Sequence, residues 1–225
     1  MLSQRRFMAE ERRVIEHSHW RIVIKPEEVQ GAPGRSALDK ATSLREAEPK
    51  PRFLSRILRE RGADASWVKG AQGELVVGSL LEKLPRDRWK VFHDISVGRR
   101  GRNIDHLVIG KSGVFTINTK NRAGEVRVSP RTLSVNGYRS DYLPRATEEG
   151  RLVSHRLTSA LGSSVVATPV IAILSDDIRV TSQPEDVYVV AAQELVPWLE
   201  ARPEILSLAQ AAAIRRVAGR RDTWE

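Results

Sequence analysis

The chain has 225 residues, of which 40% are hydrophobic and 29% charged, a balance typical of a folded globular protein. It contains no cysteine, which excludes disulfides, thiolate catalysis and cysteine-based zinc sites. The formal net charge of +9 favours contact with polyanions such as nucleic acid, although a need for solubility would explain that charge equally well.

The sequence carries no pattern for a membrane or secretory protein. No apolar run approaches the roughly 18 residues that span a bilayer, and no apolar segment follows Arg5 and Arg6 as a secretory signal requires. We therefore expect a cytoplasmic protein without a membrane partner. A homo-oligomer is compatible with the sequence, but no pattern supports one.

Three segments are expected along the chain. Residues 1–64 are predicted to form an N-terminal appendage, in which Gly, Pro and Ser from about residue 31 to residue 50 are typical of a flexible linker. Residues 65–200 show regular periodicity and are expected to form the main domain. Residues 201–225 are expected to form a C-terminal helix.

The main domain alternates helical and strand patterns. The predicted order of helix, three strands, helix and strand favours an α/β domain with a mixed central sheet flanked by helices. In chain order the predicted helices are 66–84, 144–161, 193–201 and 204–218, and the predicted strands are 88–97, 104–109, 114–119, 125–128, 133–135, 165–174 and 187–191.

Two strands carry more detailed predictions. The alternation of strand 88–97 places Trp89, Val91, Ile95 and Val97 on one face. Pro169 interrupts the apolar run 165–174, so this strand is expected beside a sheet edge or a bend.

The first helix carries an inward carboxylate. At about 100° per residue, Glu74 shares a face with Val77 and Leu81. Such a carboxylate is costly unless a cation or hydrogen-bond donors meet it. Gly70 and Gly78 are expected to let the helix approach the sheet closely. A Glu that pairs with a core Arg or reaches solvent is the alternative interpretation.

A hairpin groups three polar side chains. If loop 110–113 closes symmetrically, Asp105 faces Asn118, and Lys120 shares the face of Asn118 because strands repeat every two residues. A slip of one residue in the register would separate them. An ordinary pair of strands with a surface salt bridge is the alternative.

Together these groups suit a hard divalent cation. Mg²⁺ often binds one or two carboxylates together with water and substrate phosphate. Glu74 and Asp105 could supply the carboxylates and Thr119 a carbonyl oxygen, with Lys120 beside the metal to stabilise charge on phosphate. Taken alone, three arginines in the preceding loop favour a solvated loop, but beside a phosphate-cleaving site they could hold a nucleic-acid backbone: Arg99, Arg100 and Arg102.

Three stretches resemble the nuclease-related domain (NERD) family, which is related to the restriction-endonuclease-like PD-(D/E)xK nucleases. They are Gly70–Glu74, Asn103–Gly110 and Gly113–Asn121. The resemblance covers about residues 67–130 and is fainter to about residue 175.

The resemblance implies a restriction-endonuclease-like core and a nuclease site. Glu74, Asp105 and Lys120 match the catalytic residues of the family, whereas Asn118 stands where the family has a third acidic residue. An Asn offers an amide oxygen but no charge. We therefore expect a DNA nuclease that uses Mg²⁺ or Mn²⁺, with Asn118 as an auxiliary ligand. The alternative is a catalytically degenerate nucleic-acid-binding or regulatory module that retains the fold.

Overall fold

The structure is a computed structural model that describes residues 69–98 and 102–225. The predictions for residues 1–64 and for Arg99 and Arg100 lie outside the described residues. Within the described part of the chain, no helix combines the length and the apolar character that crossing a bilayer requires.

Helices and strands alternate along the described residues. In chain order they are α1 (69–81), β1 (Trp89–Val97), β2 (Arg102–Gly110), β3 (Gly113–Asn121), β4 (Glu125–Ser129), β5 (Thr132–Val135), β6 (Tyr138–Arg139), α2 (Tyr142–Leu161), β7 (Ala167–Leu174), β8 (Asp177–Val180), β9 (Tyr188–Ala191), α3 (Leu195–Glu200) and α4 (Leu208–Ala218). Short 3₁₀ turns cover Ala192–Glu194 and Arg221–Thr223.

A mixed sheet of five strands forms the centre, in the order β1-β2-β3-β7-β9. The pairs β1–β2 and β2–β3 are antiparallel, whereas β7 runs parallel to both β3 and β9. Helices cover this sheet, so the predicted α/β class with a mixed central sheet is confirmed.

The helices cover opposite faces of the sheet. On one face α1 and α3 pack on β2 and β3 through Val77, Leu81, Val108, Phe115, Ile117, Leu195 and Leu199. On the other face α2 and α4 pack on the alternate residues of the same strands through Leu107, Ile109, Val114, Val153, Leu157, Ile214 and Val217. Strand alternation therefore determines which helix each side chain of β2 and β3 meets.

A second sheet of four strands, in the order β6-β5-β4-β8, follows β3. The predicted turn at Asn136 and Gly137 joins β5 to β6, and both residues have positive φ, 51° and 82°. This sheet packs against the start of α2 and against β7 through Val126, Val128, Leu133, Ala146, Ile171 and Ile173. Strand β8, which pairs parallel to β4, was not predicted from the sequence.

The predicted hairpin register is confirmed over the paired residues. His106 pairs with Ile117 and Gly110 pairs with Gly113, which is the symmetric closure that the sequence indicates. Paired residues of this hairpin end at His106, and Asp105 then lies just beyond the last pair.

The prediction that Trp89, Val91, Ile95 and Val97 share one face of β1 is wrong. Trp89 packs with the α1 cluster, whereas Val97 packs with the α2 cluster. The change occurs at Asp94, whose φ of 54° lies in the left-handed region and breaks the alternation. The β1–β2 pairing also skips Asp94 and Asp105 while it continues on both sides of them.

Strand β7 lies inside the sheet although it contains Pro169. Its pairing with β9 begins only at Val170, so Pro169 lies outside the β7–β9 ladder and its missing N–H removes no hydrogen bond from that ladder. At Pro169, strand β7 is therefore an edge strand on its β9 side, which is the environment that the sequence predicts for this proline. Gly150 of α2 lies against it, since a Cβ at Gly150 would be 3.1 Å from the Pro169 ring.

The close approach of α1 to the sheet occurs at Gly73. A Cβ there would lie 2.8 Å from the Asn121 Cβ and 3.3 Å from the Thr119 Cγ2, so the helix contacts the end of β3 directly. The close approach predicted at Gly70 is wrong, since a Cβ there would meet no described atom within 4 Å.

Candidate active site

Asp105 and Thr119 form the structural centre of the site. Where β2 diverges from β3, the Asp105 Oδ2 accepts a hydrogen bond of 2.7 Å from the Thr119 backbone N–H. The carboxylate thus takes the place of a backbone acceptor. Asp105 is held at the end of β3 by its own strand and by the main chain of its neighbour.

Lys120 follows directly and carries its ammonium to the same place. Its Nζ donates to the Thr119 carbonyl at 3.2 Å and lies 5.2 Å from the centre of the Tyr142 ring. Burial raises the pKa of the Asp105 carboxyl, while the charge of Lys120 and the Thr119 hydrogen bond oppose that rise. The positive charge of Lys120 therefore acts on Asp105, as the predicted hairpin requires.

Asn118 and Lys120 open onto a cleft of about 510 Å³ beside α2. Cations dominate its wall, so the cleft suits an anionic ligand. The charged residues that line it are Arg102, Lys120, Arg122, Arg145, Glu148 and Glu149. The Arg122 guanidinium lies 5.3 Å from the centre of the Tyr142 ring.

Glu149 is a carboxylate of this site that the sequence analysis missed. Its Oε2 accepts a hydrogen bond of 3.2 Å from the Asn118 amide nitrogen. Its Oε1 is buried and has no hydrogen-bond partner among the described residues. Burial raises the pKa of Glu149 to about 8, and the nearby Asp105 carboxylate contributes in the same direction.

The helix wheel could have found Glu149. On α2 it lies three residues after Ala146 and four residues before Val153, both of them buried, just as Glu74 lies three residues before Val77 on α1. The sequence does not tell which strand α2 faces, however, so the partner of Glu149 was not predictable.

Glu74 lies on α1, which covers the opposite face of the sheet from α2. It is half-buried on α1 and follows Gly73, which lies against Thr119. Asn118, Lys120 and Glu149, in contrast, line the cleft on the α2 face. The metal role of Glu74 stays a prediction, and it requires the side chain to reach the end of β3.

Arg102 lies at the rim of the cleft, and its Nη1 donates to the Glu148 Oε1 at 2.7 Å. Both side chains are more than half exposed, so water screens this pair. Part of the Arg102 guanidinium is thus paired to Glu148, and its contact with a nucleic-acid backbone stays a prediction.

Behind the site, a line of hydrogen bonds connects Thr119 with the surface. Thr119 Oγ1 lies 3.4 Å from His106 Nε2, His106 Nδ1 lies 2.8 Å from His93 Nδ1, and His93 Nε2 lies 3.1 Å from Glu82 Oε1. Two neutral rings satisfy the whole line if Thr119 donates to His106, His106 to His93 and His93 to Glu82. Burial lowers the pKa of His106 to about 3, which agrees with a neutral ring.

The donor set fits a lightly coordinated hard cation. Among residues 69–98 and 102–225, no three His, Asp or Glu side chains form a ready-made metal cage. Mg²⁺ does not need one, because it keeps several waters and binds one or two carboxylates with substrate phosphate. Asp105 and the buried, unsatisfied Glu149 Oε1 meet that description.

Comparison with known proteins identifies the segment that carries this geometry. Residues 69–174 match the family model of the nuclease-related domain. This segment is a NERD domain. The match extends from α1 to β7 and contains every described residue of the site.

One curated relative is similar over a shorter stretch. An uncharacterized protein of Bacillus anthracis is 39% identical over 59 residues, which cover 25% of this chain and 28% of that protein. The chain thus matches less than a third of the length of this relative. The NERD match supports a nuclease-related function, and the similarity to the relative adds no activity to it.

Proposed function

We propose that the NERD domain hydrolyses phosphodiester bonds of DNA with the help of Mg²⁺ or Mn²⁺. The observation that carries the proposal is the convergence of Asp105, Thr119 and Lys120 at the end of β3, beside a cleft lined by cations. A carboxylate, a carbonyl and an ammonium at one strand end are the groups that phosphate hydrolysis with a divalent cation uses.

Each residue has a separate role in this proposal. Glu74, Asp105 and the Thr119 carbonyl would hold the cation, and Asn118 would add an amide oxygen. The cation would supply Lewis-acid stabilisation of charge on the phosphate. Lys120 would orient the attacking water or stabilise the negative charge of the transition state, because its ammonium is held by Thr119 at the mouth of the cleft.

The cleft would bind the nucleic-acid backbone. Arg122 has a buried Nε without a hydrogen-bond partner among the described residues, and a phosphate oxygen would satisfy it. Arg102 could add a second phosphate contact at the rim. Arg99 and Arg100 keep the backbone-binding role that the sequence predicts for them.

A second candidate function is a nucleic-acid-binding or regulatory module without catalysis. It is favoured by Asn118, whose amide donates to Glu149 and brings no charge to the position of the family's third acidic residue. Such a module would keep the cationic cleft while metal affinity would fall.

A cleavage assay separates the two. Purified protein is incubated with supercoiled plasmid and with linear DNA in Mg²⁺, in Mn²⁺ and in EDTA, alongside Asp105→Ala, Lys120→Ala and Asn118→Asp. We expect cleavage by the wild type that needs the cation and that both alanine variants lose. Cleavage that persists in both alanine variants would refute the site. Binding without cleavage, with activity gained in Asn118→Asp, would establish the second function instead.

A further inference from the structure

Glu149 and Asn118 form a hydrogen-bonded pair, and the proposed function assigns no role to Glu149. Position 118 lacks the carboxylate of the family, and the carboxylate that contacts it, at 3.2 Å, comes from α2 instead. The two side chains meet inside the cleft, where both are lining residues. The carboxyl group absent from the strand is thus present on the helix that faces it.

The surroundings of Glu149 leave one of its oxygens without a partner. Oε2 receives the Asn118 amide, whereas Oε1 is buried and has no hydrogen-bond partner among the described residues. A buried carboxylate oxygen in that situation needs a proton or a cation.

The packing of α2 explains how a helix residue comes so close to the sheet. Gly150 lies against the ring of Pro169 and the Ala167 carbonyl, and a Cβ at Gly150 would be 3.1 Å from Pro169. Because the helix backbone contacts β7 at Gly150, the preceding residue, Glu149, lies close to β3, the strand next to β7.

We propose that Glu149 is a ligand of the divalent cation at Asp105 and supplies the carboxylate that Asn118 lacks. This inference rests on the proposed function, because it assumes a cation at Asp105. It extends that function by making α2 part of the metal site. It also assigns Asn118 a second task, which is to hold Glu149 in place through its amide.

Exchange of the two side chains provides the test. Glu149→Gln keeps the shape and an acceptor for the Asn118 amide but removes the charge. The double variant Asn118→Asp with Glu149→Gln returns the carboxylate to the strand and reverses the direction of the hydrogen bond. Glu148→Gln is the matched control, since Glu148 lines the same cleft one residue earlier and is more than half exposed.

Mn²⁺ binding is measured without DNA by isothermal titration calorimetry. Thermal unfolding measures the rise in Tm that Mn²⁺ causes. We expect Glu149→Gln to weaken Mn²⁺ binding at least about tenfold and to abolish most of the Tm rise. The double variant should recover binding to within about threefold of the wild type, and Glu148→Gln should bind as the wild type does. The metal-free Tm of Glu149→Gln should not fall, because glutamine fills the same space and keeps the hydrogen bond from the Asn118 amide.

The possible failures are distinguishable. If Asp105→Asn loses Mn²⁺ binding while Glu149→Gln retains it, the role of Glu149 is refuted and the cation site of the proposed function stands. If the wild type binds no Mn²⁺, both proposals are refuted. Equal losses in Glu148→Gln and Glu149→Gln would show a general effect of charge and overturn the inference, as would a double variant that binds no better than Glu149→Gln.

Discussion

The buried His106 makes the stability of this domain depend on pH. Its ring hydrogen-bonds to His93 and Thr119 and has a folded pKa of about 3, against 6.5 in an unfolded chain. Below pH 6.5 the unfolded state therefore binds a proton that the folded state does not, so stability falls as the pH falls. This loss continues until the pH reaches the folded value of about 3.

The magnitude follows from the difference between the two pKa values. Each pH unit within this window corresponds to about 1.4 kcal/mol. Between pH 6.5 and pH 5 the contribution of His106 is therefore a loss of about 2 kcal/mol, and the complete loss near pH 3 is at most about 5 kcal/mol.

Urea unfolding of the wild type and of His106→Gln between pH 7 and pH 4.5 measures this contribution. The carboxyl groups, including Glu149 with its opposite trend, titrate in both proteins and largely cancel in the difference. We expect the stability advantage of the wild type over His106→Gln to shrink by about 2 kcal/mol from pH 6.5 to pH 5. A difference that does not change with pH would refute a neutral, buried His106. His155→Gln, which removes an exposed histidine of α2, is the matched control.

Two further predictions concern packing and DNA contact. Gly73→Ala should destabilise the domain by about 1–3 kcal/mol in urea unfolding, because the new Cβ would lie 2.8 Å from the Asn121 Cβ. Gly70→Ala should instead stabilise it by up to about 1 kcal/mol, and a matching loss at both glycines would contradict the close approach. Arg122→Ala should weaken DNA binding and reduce the salt dependence by about one phosphate contact. Arg131→Ala in the β4–β5 turn is the control, and an equal effect there would show that the cleft is not the binding surface.

Local patterns were enough to predict the hairpin that carries the site. Gly110 and Gly113 delimit a short loop, and alternation on either side then leaves one register that keeps the apolar residues buried. Helical periodicity in the same way predicts that Glu74 points inward, and Glu74 is half-buried on α1. These features depend on residues that are close together in the sequence.

The features that were missed depend on contacts between distant elements. Asp94 adopts a left-handed backbone conformation that is usually marked by glycine, so the residue type does not indicate it. At this position, opposite Asp105, the side chains of β1 change from one face of the sheet to the other. The role of Glu149 depends on α2 crossing β3 at Asn118, which follows from the close contact of Gly150 with β7. No local pattern contains that crossing point.

The most direct test of the site is a crystal of the wild-type protein soaked in Mn²⁺, with anomalous diffraction to locate the ion. We predict an anomalous peak within coordination distance of the Asp105 carboxylate, on the side of β3 from which Lys120 and Glu149 reach the cleft. A peak elsewhere, or no peak at Asp105 when the Mn²⁺ concentration saturates binding in solution, would contradict a metal-dependent site at the end of β3.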